Sequence, residues 1–245
     1  MKYLAGLLGI ALCLVPTAHA AEAASAAAAP REIVLVRHGH YDKDPAIDEA
    51  IGPPLSSLGV AQAYLAGARL RGEGGTFDAL WVSPMQRARD TAAAIGAELP
   101  AQGFRIDAEL AECTPPTHYA QVMAETDPAH AAACKARLDR VFARHFAATA
   151  GMPRRELLVC HGNVIRYLVT RALGVDGMAW LEMSVGHASI TRIRVQPDGR
   201  YKVIAVGDVG HIPAVLRSGA SGDAAHRLVL PPLQLAPTDA ADRRR

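Results

Sequence analysis

Short apolar runs alternate with longer amphipathic segments along most of the chain. The run from Ile33 to Val36 is wholly apolar, and compact runs at 79–82 and 156–160 resemble it. Apolar runs this short are typical of strands buried on both faces of a parallel sheet. Weaker strand patterns occur at 104–106, 189–195 and 201–206, the last two joined by the turn QPDGR.

Segments with helical spacing separate these strands. From Leu55 to Arg71 apolar residues recur three or four positions apart, Ser56 or Ser57 is placed to cap the helix, and glycines follow. Further helices are predicted from Ser83 to about Glu98, from about Pro128 to Thr149 and from Gly162 to Leu173. This alternation predicts an α/β domain with three layers, in which a mostly parallel central sheet carries helices on both faces.

The N-terminus has a different composition. Lys2 precedes an apolar stretch from Leu4 to Val15, Pro16 interrupts it, and Ala-His-Ala at 18–20 has the small-x-small pattern of a cleavage site. This pattern predicts a signal peptide over residues 1–20, with an uncleaved N-terminal anchor as the alternative. The apolar stretch is shorter than the roughly 20 residues of a spanning helix. We therefore expect an exported protein, periplasmic or secreted, with no stable membrane insertion after cleavage.

Composition divides the rest of the chain. An Ala-rich linker is predicted over residues 21–30, a single domain over 31–216, and a low-complexity, mobile tail over 217–245. The net charge is only +2, so bulk charge gives no support to nucleic-acid binding.

Three cysteines lie beyond the apolar N-terminus. An odd number is a poor disulfide framework, and a bridge between Cys113 and Cys134 is left open. Cys160 ends an apolar run, which favours a buried thiol. None of the three has the spacing of a metal site.

Polar residues cluster directly after three of the predicted strands. RHGH follows the first at 37–40, SPMQRAR follows the second at 83–89, and HGN follows the third at 161–163. Ligands of open parallel sheets bind beyond the carboxyl ends of the strands, so we expect these turns to converge. Arginines bind phosphate oxygens with two parallel hydrogen bonds, and a neutral imidazole is a competent nucleophile toward phosphorus. Gly39 and Gly162 would let backbone N–H groups approach an anion.

These segments resemble the histidine phosphatase superfamily, also called the phosphoglycerate-mutase-like superfamily. The resemblance covers about Ile33 to Pro213 and rests on VRHG, LSSLGVAQA, SPMQRARDTAAAI and ELLVCHGNVIRYLV in this order. CHGNVIRYLVTRALGV and VGDVGHIP are similar to the branch that contains the mitochondrial Ser/Thr protein phosphatase of this superfamily.

The resemblance implies a role for each matching residue. His38 would be the nucleophile and would become a phosphohistidine, while Arg37, Arg87 and His161 would bind the phosphoryl oxygens. Glu112 would act as general acid and then as base, with Glu109 as its competitor. No metal and no cofactor are implied.

Other residues are weaker candidates. Gly39, His40, Asn163 and His211 are predicted to line the pocket. Arg89 is expected on the outer face of its helix. The histidines without a motif are expected at surface or helix positions: His118, His130, His145 and His187.

The sequence therefore predicts a metal-independent phosphatase that hydrolyses phosphomonoesters, with a phosphorylated protein or small molecule as substrate. Three alternatives are left open. One is a mutase-type phosphotransferase, although HYDKDP at 40–45 lacks the Asn usual in mutases. The second is a metal-dependent hydrolase and the third a non-catalytic phosphate-binding module. The metal site would use His38, His40, His161 and His211. The oligomeric state is also open.

Overall fold

The computed structural model describes residues 27–100 and 103–219. The predicted signal peptide and most of the predicted tail lie outside this range. The strands are β1 (Ala28–Ala29), β2 (Arg31–Arg37), β3 (Ala79–Val82), β4 (Arg105–Ile106), β5 (Thr149–Ala150), β6 (Arg154–Cys160), β7 (Ile190–Val195) and β8 (Tyr201–Asp208). The helices are α1 (Ser57–Gly72), α2 (Gln86–Glu98), α3 (Ala120–Ala124), α4 (Pro128–His145) and α5 (Gly162–Leu173).

A six-stranded mixed sheet forms the centre of the fold, with the order β4-β3-β6-β2-β7-β8. The first four strands of this order are parallel, and β7 and β8 add an antiparallel edge. The predicted α/β class with a mostly parallel sheet is therefore confirmed. In β2, Ile33 and Leu35 pack into the core on the side of α4 and α5, while Val34 and Val36 pack on the side of α1 and α2. Burial on both faces explains the continuous apolar run.

At both ends, the packed part of the domain extends beyond the boundaries predicted from composition, residues 31 and 216. Ala28 and Ala29, within the predicted linker, pair with Ala150 and Thr149 in a short antiparallel ladder. The long helix α4 consequently ends at His145 rather than Thr149, because Thr149 belongs to that ladder. At the other end, Ser218 is buried although it falls in the predicted tail.

The cysteine pair left open by the sequence is bonded. Cys113 and Cys134 form a disulfide that ties the loop after β4 to α4, and Cys160 is a buried free thiol, as predicted. No helix in the described ranges combines the length and the apolarity needed to cross a membrane.

Candidate active site

Three neighbouring strand ends bring the predicted site residues together. Arg37 ends β2 opposite Cys160 of β6, and Val82 of β3 pairs with Val159 of β6. His38 and the residue after Cys160, His161, therefore lie side by side, with ring centroids 5.0 Å apart.

His38 is held in one tautomer. Its ring is buried, and Nδ1 lies 2.8 Å from the carbonyl oxygen of Gly39, which can only accept, so Nδ1 carries the proton. Nε2 is left with its lone pair and accepts from Nε of Arg87 at 3.2 Å. Burial, together with His161 and the nearby arginines, holds the pKa of His38 well below its usual value. The ring is therefore neutral and presents a nucleophilic nitrogen.

His161 is oriented by Ser83, which begins the SPMQRARDTAAAI segment but was assigned no role from the sequence. Nε2 lies 2.7 Å from Oγ of Ser83, and Ser83 already accepts from the N–H of Met85 at 3.3 Å. We assign the hydroxyl proton to the bond with Nε2, which places the ring proton on Nδ1. That atom is buried and has no hydrogen-bond partner among the described residues. Burial, then Arg87 and Arg37, lower the pKa of His161, which leaves Nδ1–H as a neutral donor.

The two arginines are oriented by uncharged groups. Arg37 donates to the carbonyl oxygens of Val185 at 2.7 Å and Gly219 at 3.0 Å, and to Nε2 of His187 at 3.0 Å. Arg87 contacts His38, the sulfur of Met85 and the ring face of Tyr41. Within the described residues neither guanidinium forms an ion pair with a carboxylate. Burial lowers the pKa of Arg37 to about 10, so it stays charged at neutral pH.

Glu112 has the environment of a general acid, and Glu109 does not. Burial raises the pKa of the Glu112 carboxyl, and Arg37 and Arg87 oppose this shift only in part. Asn163 donates from its side chain to the carbonyl of Cys113 at 3.1 Å, which ties α5 to the loop that carries Glu112. Glu109 instead pairs with arginines of α4, at 2.7 Å and 3.1 Å.

The weaker candidates surround the site with different contacts. The N–H of Gly39 is taken by Thr91 at 3.0 Å, and a Cβ there would lie 2.4 Å from the oxygen of Gly59, so this glycine permits close packing and does not offer its N–H to an anion. Nδ1 of His40 bonds Ser56 at 2.8 Å, and His211 donates to the carbonyl of Ala188 at 3.1 Å. Arg89 is exposed, as expected.

These contacts do not assemble the hypothetical four-histidine metal site. Across residues 27–100 and 103–219, no three His, Cys, Asp or Glu side chains are grouped so as to hold a metal ion.

His145 lies in α4, one of the expected surface or helix positions, although it is buried there; the expectation is wrong for His187, which is buried outside any helix. His187 lies just before β7, and β7 runs antiparallel to β2, so the start of β7 meets the end of β2. The antiparallel pairing of β7 with β2 therefore places His187 beside Arg37, and no local sequence motif indicates this position.

A recess of about 540 Å³ opens beside Arg87. Its size is that of a small-ligand pocket. It is lined by Tyr41, Lys43, Asp44, Pro45, Ile47, Glu49, Gly52, Pro53 and Arg87.

Residues 33–208 match the family model of the histidine phosphatase superfamily, branch 1. The chain belongs to this superfamily. It is 35% identical over 193 residues to the mitochondrial serine/threonine-protein phosphatase Pgam5 of Caenorhabditis elegans, covering 76% of this chain and 66% of that protein. It is 34% identical over 190 residues to PGAM5 of Xenopus laevis, covering 76% and 68%. The chain thus spans about two thirds of the length of these relatives.

Solved structures of other superfamily members share the fold. A phosphoglycerate mutase from Plasmodium falciparum superimposes with a TM-score of 0.54 at 24% identity, over 76% of this chain and 96% of its own. A putative α-ribazole-5'-P phosphatase from Escherichia coli gives 0.55 at 21% identity, over 73% and 97%. At these identities the likeness concerns the fold alone.

The superfamily relatives contradict the predicted location. The predicted export, with its signal peptide and its periplasmic or secreted destination, is wrong on this comparison, because the relatives named above are mitochondrial proteins. A short basic and apolar N-terminus is defined by composition and not by a unique sequence, so it did not discriminate between destinations.

Proposed function

We propose that this chain is a phosphatase that hydrolyses phosphomonoesters, without a metal, through a phosphohistidine on His38. The observation that carries the proposal is the neutral His38 ring, whose Nε2 lone pair lies among two arginines without carboxylate partners. Such a site attracts the phosphoryl group and offers it a nucleophile.

In the first half-reaction, Arg37, Arg87 and the Nδ1–H of His161 bind the phosphoryl oxygens and stabilise the charge of the transition state. Nε2 of His38 attacks phosphorus, and the bond to the ester oxygen breaks. The protonated Glu112 carboxyl gives its proton to that oxygen, so that the leaving group departs as an alcohol.

In the second half-reaction, Glu112 is a carboxylate and takes a proton from water. The hydroxide equivalent attacks phosphorus, the P–N bond breaks, and its electrons return to Nε2 of His38. Inorganic phosphate leaves, and both groups are restored to their starting states.

The substrate class follows from the relatives and the recess. Because the relatives are named serine/threonine-protein phosphatases, phosphoserine and phosphothreonine peptides are the first substrates to test. The leaving group would occupy the recess beside Arg87, where Lys43 and Glu49 offer charges of both signs.

The decisive experiment replaces the nucleophile. His38→Ala should lower turnover of an aryl phosphate by roughly a thousandfold or more, because no covalent intermediate can form. His130→Ala, on the exposed side of α4, is the matched control and should retain activity. Wild-type protein quenched during turnover should carry an acid-labile, base-stable phosphoryl group. A fully active His38→Ala variant would refute the proposal.

A further inference from the structure

We propose that His187, held by Ser218 and Gln62, is a positioning residue that aims the Arg37 guanidinium at the phosphoryl group without neutralising its charge. The inference rests on the proposed phosphate site and adds His187 and Ser218, which lie outside the matched motif segments, and Gln62, which lies within LSSLGVAQA. We refer to His187, Ser218 and Gln62 as the Arg37 relay.

The tautomer of His187 follows from its partners. A guanidinium only donates, so Nε2 of His187 must accept from Nη2 of Arg37, over 3.0 Å. Nδ1 therefore carries the proton and donates to Oγ of Ser218 at 2.9 Å. Burial, then Arg37, lower the pKa of His187 to about 2, so the ring remains a neutral acceptor.

Gln62 anchors the far end of the relay. It is completely buried in α1, where Nε2 donates to Oγ of Ser218 at 2.9 Å and to the carbonyl of Leu216 at 2.6 Å. Its Oε1 accepts from the N–H of His40 at 2.9 Å. The relay therefore joins the loop after the nucleophile to the segment at 216–219.

The approach of that segment requires a glycine. Gly219 has φ +76°, and its carbonyl accepts from Arg37. A Cβ at this position would lie 2.5 Å from Nδ1 of His187 and 2.9 Å from Nη1 of Arg37. The segment can therefore touch both side chains only because position 219 has none.

The choice of imidazole has an electrostatic reason. A carboxylate would hold the guanidinium more tightly, because charge-assisted hydrogen bonds are the stronger ones, but it would cancel the charge that a phosphoryl group needs. The three acceptors of Arg37 are two carbonyls and one neutral ring. Arg37 is thereby fixed in direction while its full charge faces the site.

The test compares variants that separate shape, hydrogen bonding and charge. His187→Phe keeps the ring but loses the acceptor, and it should weaken inorganic phosphate binding, measured by calorimetry, roughly tenfold or more. It should raise KM more than it lowers kcat. His187→Gln restores an acceptor near Nε2 and should stay within about threefold of wild type. His187→Glu is similar in size to Gln but charged, and it should bind phosphate more weakly than His187→Gln.

Ser218→Ala is a second, smaller perturbation that leaves His187 in place, and it should weaken phosphate binding a few-fold. Thermal unfolding of each variant reports folding separately. Unchanged phosphate affinity in folded His187→Phe or Ser218→Ala would overturn the relay, as would equal losses in the Phe and Gln variants. Because binding is measured without turnover, a wild type that binds phosphate but hydrolyses no phosphoester would contradict the proposed function alone.

Discussion

Two groups of buried histidines differ in the charges that surround them. His145 lies between two carboxylates, with Nδ1 3.1 Å from Glu156 and Nε2 3.4 Å from Asp107. Burial alone would lower the pKa of His145, but the hydrogen bonds to these carboxylates raise it. Arg31 and Arg144 also bind these carboxylates, at 3.4 Å and 2.5 Å. The His145 cluster is therefore a network of compensated charges.

The site histidines have the opposite surroundings. His38, His161 and His187 face Arg37 and Arg87, and burial together with these cations lowers the pKa of all three. Neither arginine forms an ion pair within the described residues, and the Glu112 carboxyl, which interacts with both, has a raised pKa. Such a site is unfavourable for folding, and it is preorganised for an anion. The same residue type is thus surrounded by compensated charge in one region and, in the other, by the cations on which the proposed reaction depends.

The largest effect is expected when the site is made to resemble the His145 cluster. Ser83→Asp would place a carboxylate beside Nε2 of His161, which would favour the imidazolium and partly neutralise the arginines. We expect kcat/KM for an aryl phosphate to fall roughly 100- to 1000-fold, because partly neutralised arginines stabilise the transition state less, by an amount comparable to the loss of one preorganised donor. Ser83→Asn has the same size without the charge and should lose clearly less. Equal losses in the two variants would show that size alone matters at this position.

The second prediction removes one negative charge from the His145 cluster. Glu156→Gln keeps the shape but leaves His145 and Arg31 with less negative charge, so the free energy of unfolding should fall by about 2–3 kcal/mol. Activity per folded molecule should be unchanged. Urea unfolding at pH 7 measures the first quantity and active-site titration the second. Asp198→Asn, in an exposed pair, should leave stability unchanged. A large loss of turnover in folded Glu156→Gln would end the separation of the two regions.

Sequence patterns predicted the site residues that directly follow a strand, because the local sequence specifies their position. Three apolar strands and the turns that follow them located Arg37, His38, Arg87 and His161, because the carboxyl ends of parallel strands share one sheet edge. The resemblance to the superfamily then favoured Glu112 over Glu109, and the contacts of Glu109 with α4 agree with that choice.

Gln62 and His187 were assigned no site role from the sequence, because their positions depend on contacts between segments that are distant along the chain. Gln62 belongs to the LSSLGVAQA segment but was assigned no role, and it is buried because its amide satisfies groups from two other segments. His187 is adjacent to the site only because β7 joins β2 antiparallel. A 3.6-residue period describes which face a helix buries, but it does not specify which polar groups will meet there.

The third prediction concerns stability against pH. A histidine whose pKa is lowered by folding takes up a proton only when the chain unfolds, so it costs stability as pH falls below its unfolded value of about 6.5. His145, with a raised pKa, contributes stability below that value and loses it as pH rises through the folded pKa. Among the described histidines the pKa is lowered for four, His38, His161, His187 and His211, and raised for His145, so the unfolding free energy should decrease between pH 7.5 and 5.5.

His187→Phe removes one of these four histidines with a lowered pKa. The decrease between pH 7.5 and 5.5 should then be smaller by about 1.4 kcal/mol, the free energy of one proton uptake over this range. Urea unfolding of both proteins at the two pH values measures the difference. The same decrease in wild type and variant would place the pKa of His187 near its ordinary value and contradict the electrostatic account of the site.

The last prediction, with the smallest expected effect, is that the imidazoles of His38 and His187 do not titrate. Imidazole nitrogen shifts, assigned through single His→Gln variants, should show His38 and His187 neutral at every pH from 7.5 down to 5.5, since burial and then the neighbouring arginines lower the pKa of both rings. His38 should carry its proton on Nδ1, as the bond to Gly39 requires. His145 should show more imidazolium than the site histidines at each pH, because two carboxylates favour it. An imidazolium signal from His38 at pH 6 would remove the nucleophilic form on which the proposed reaction depends.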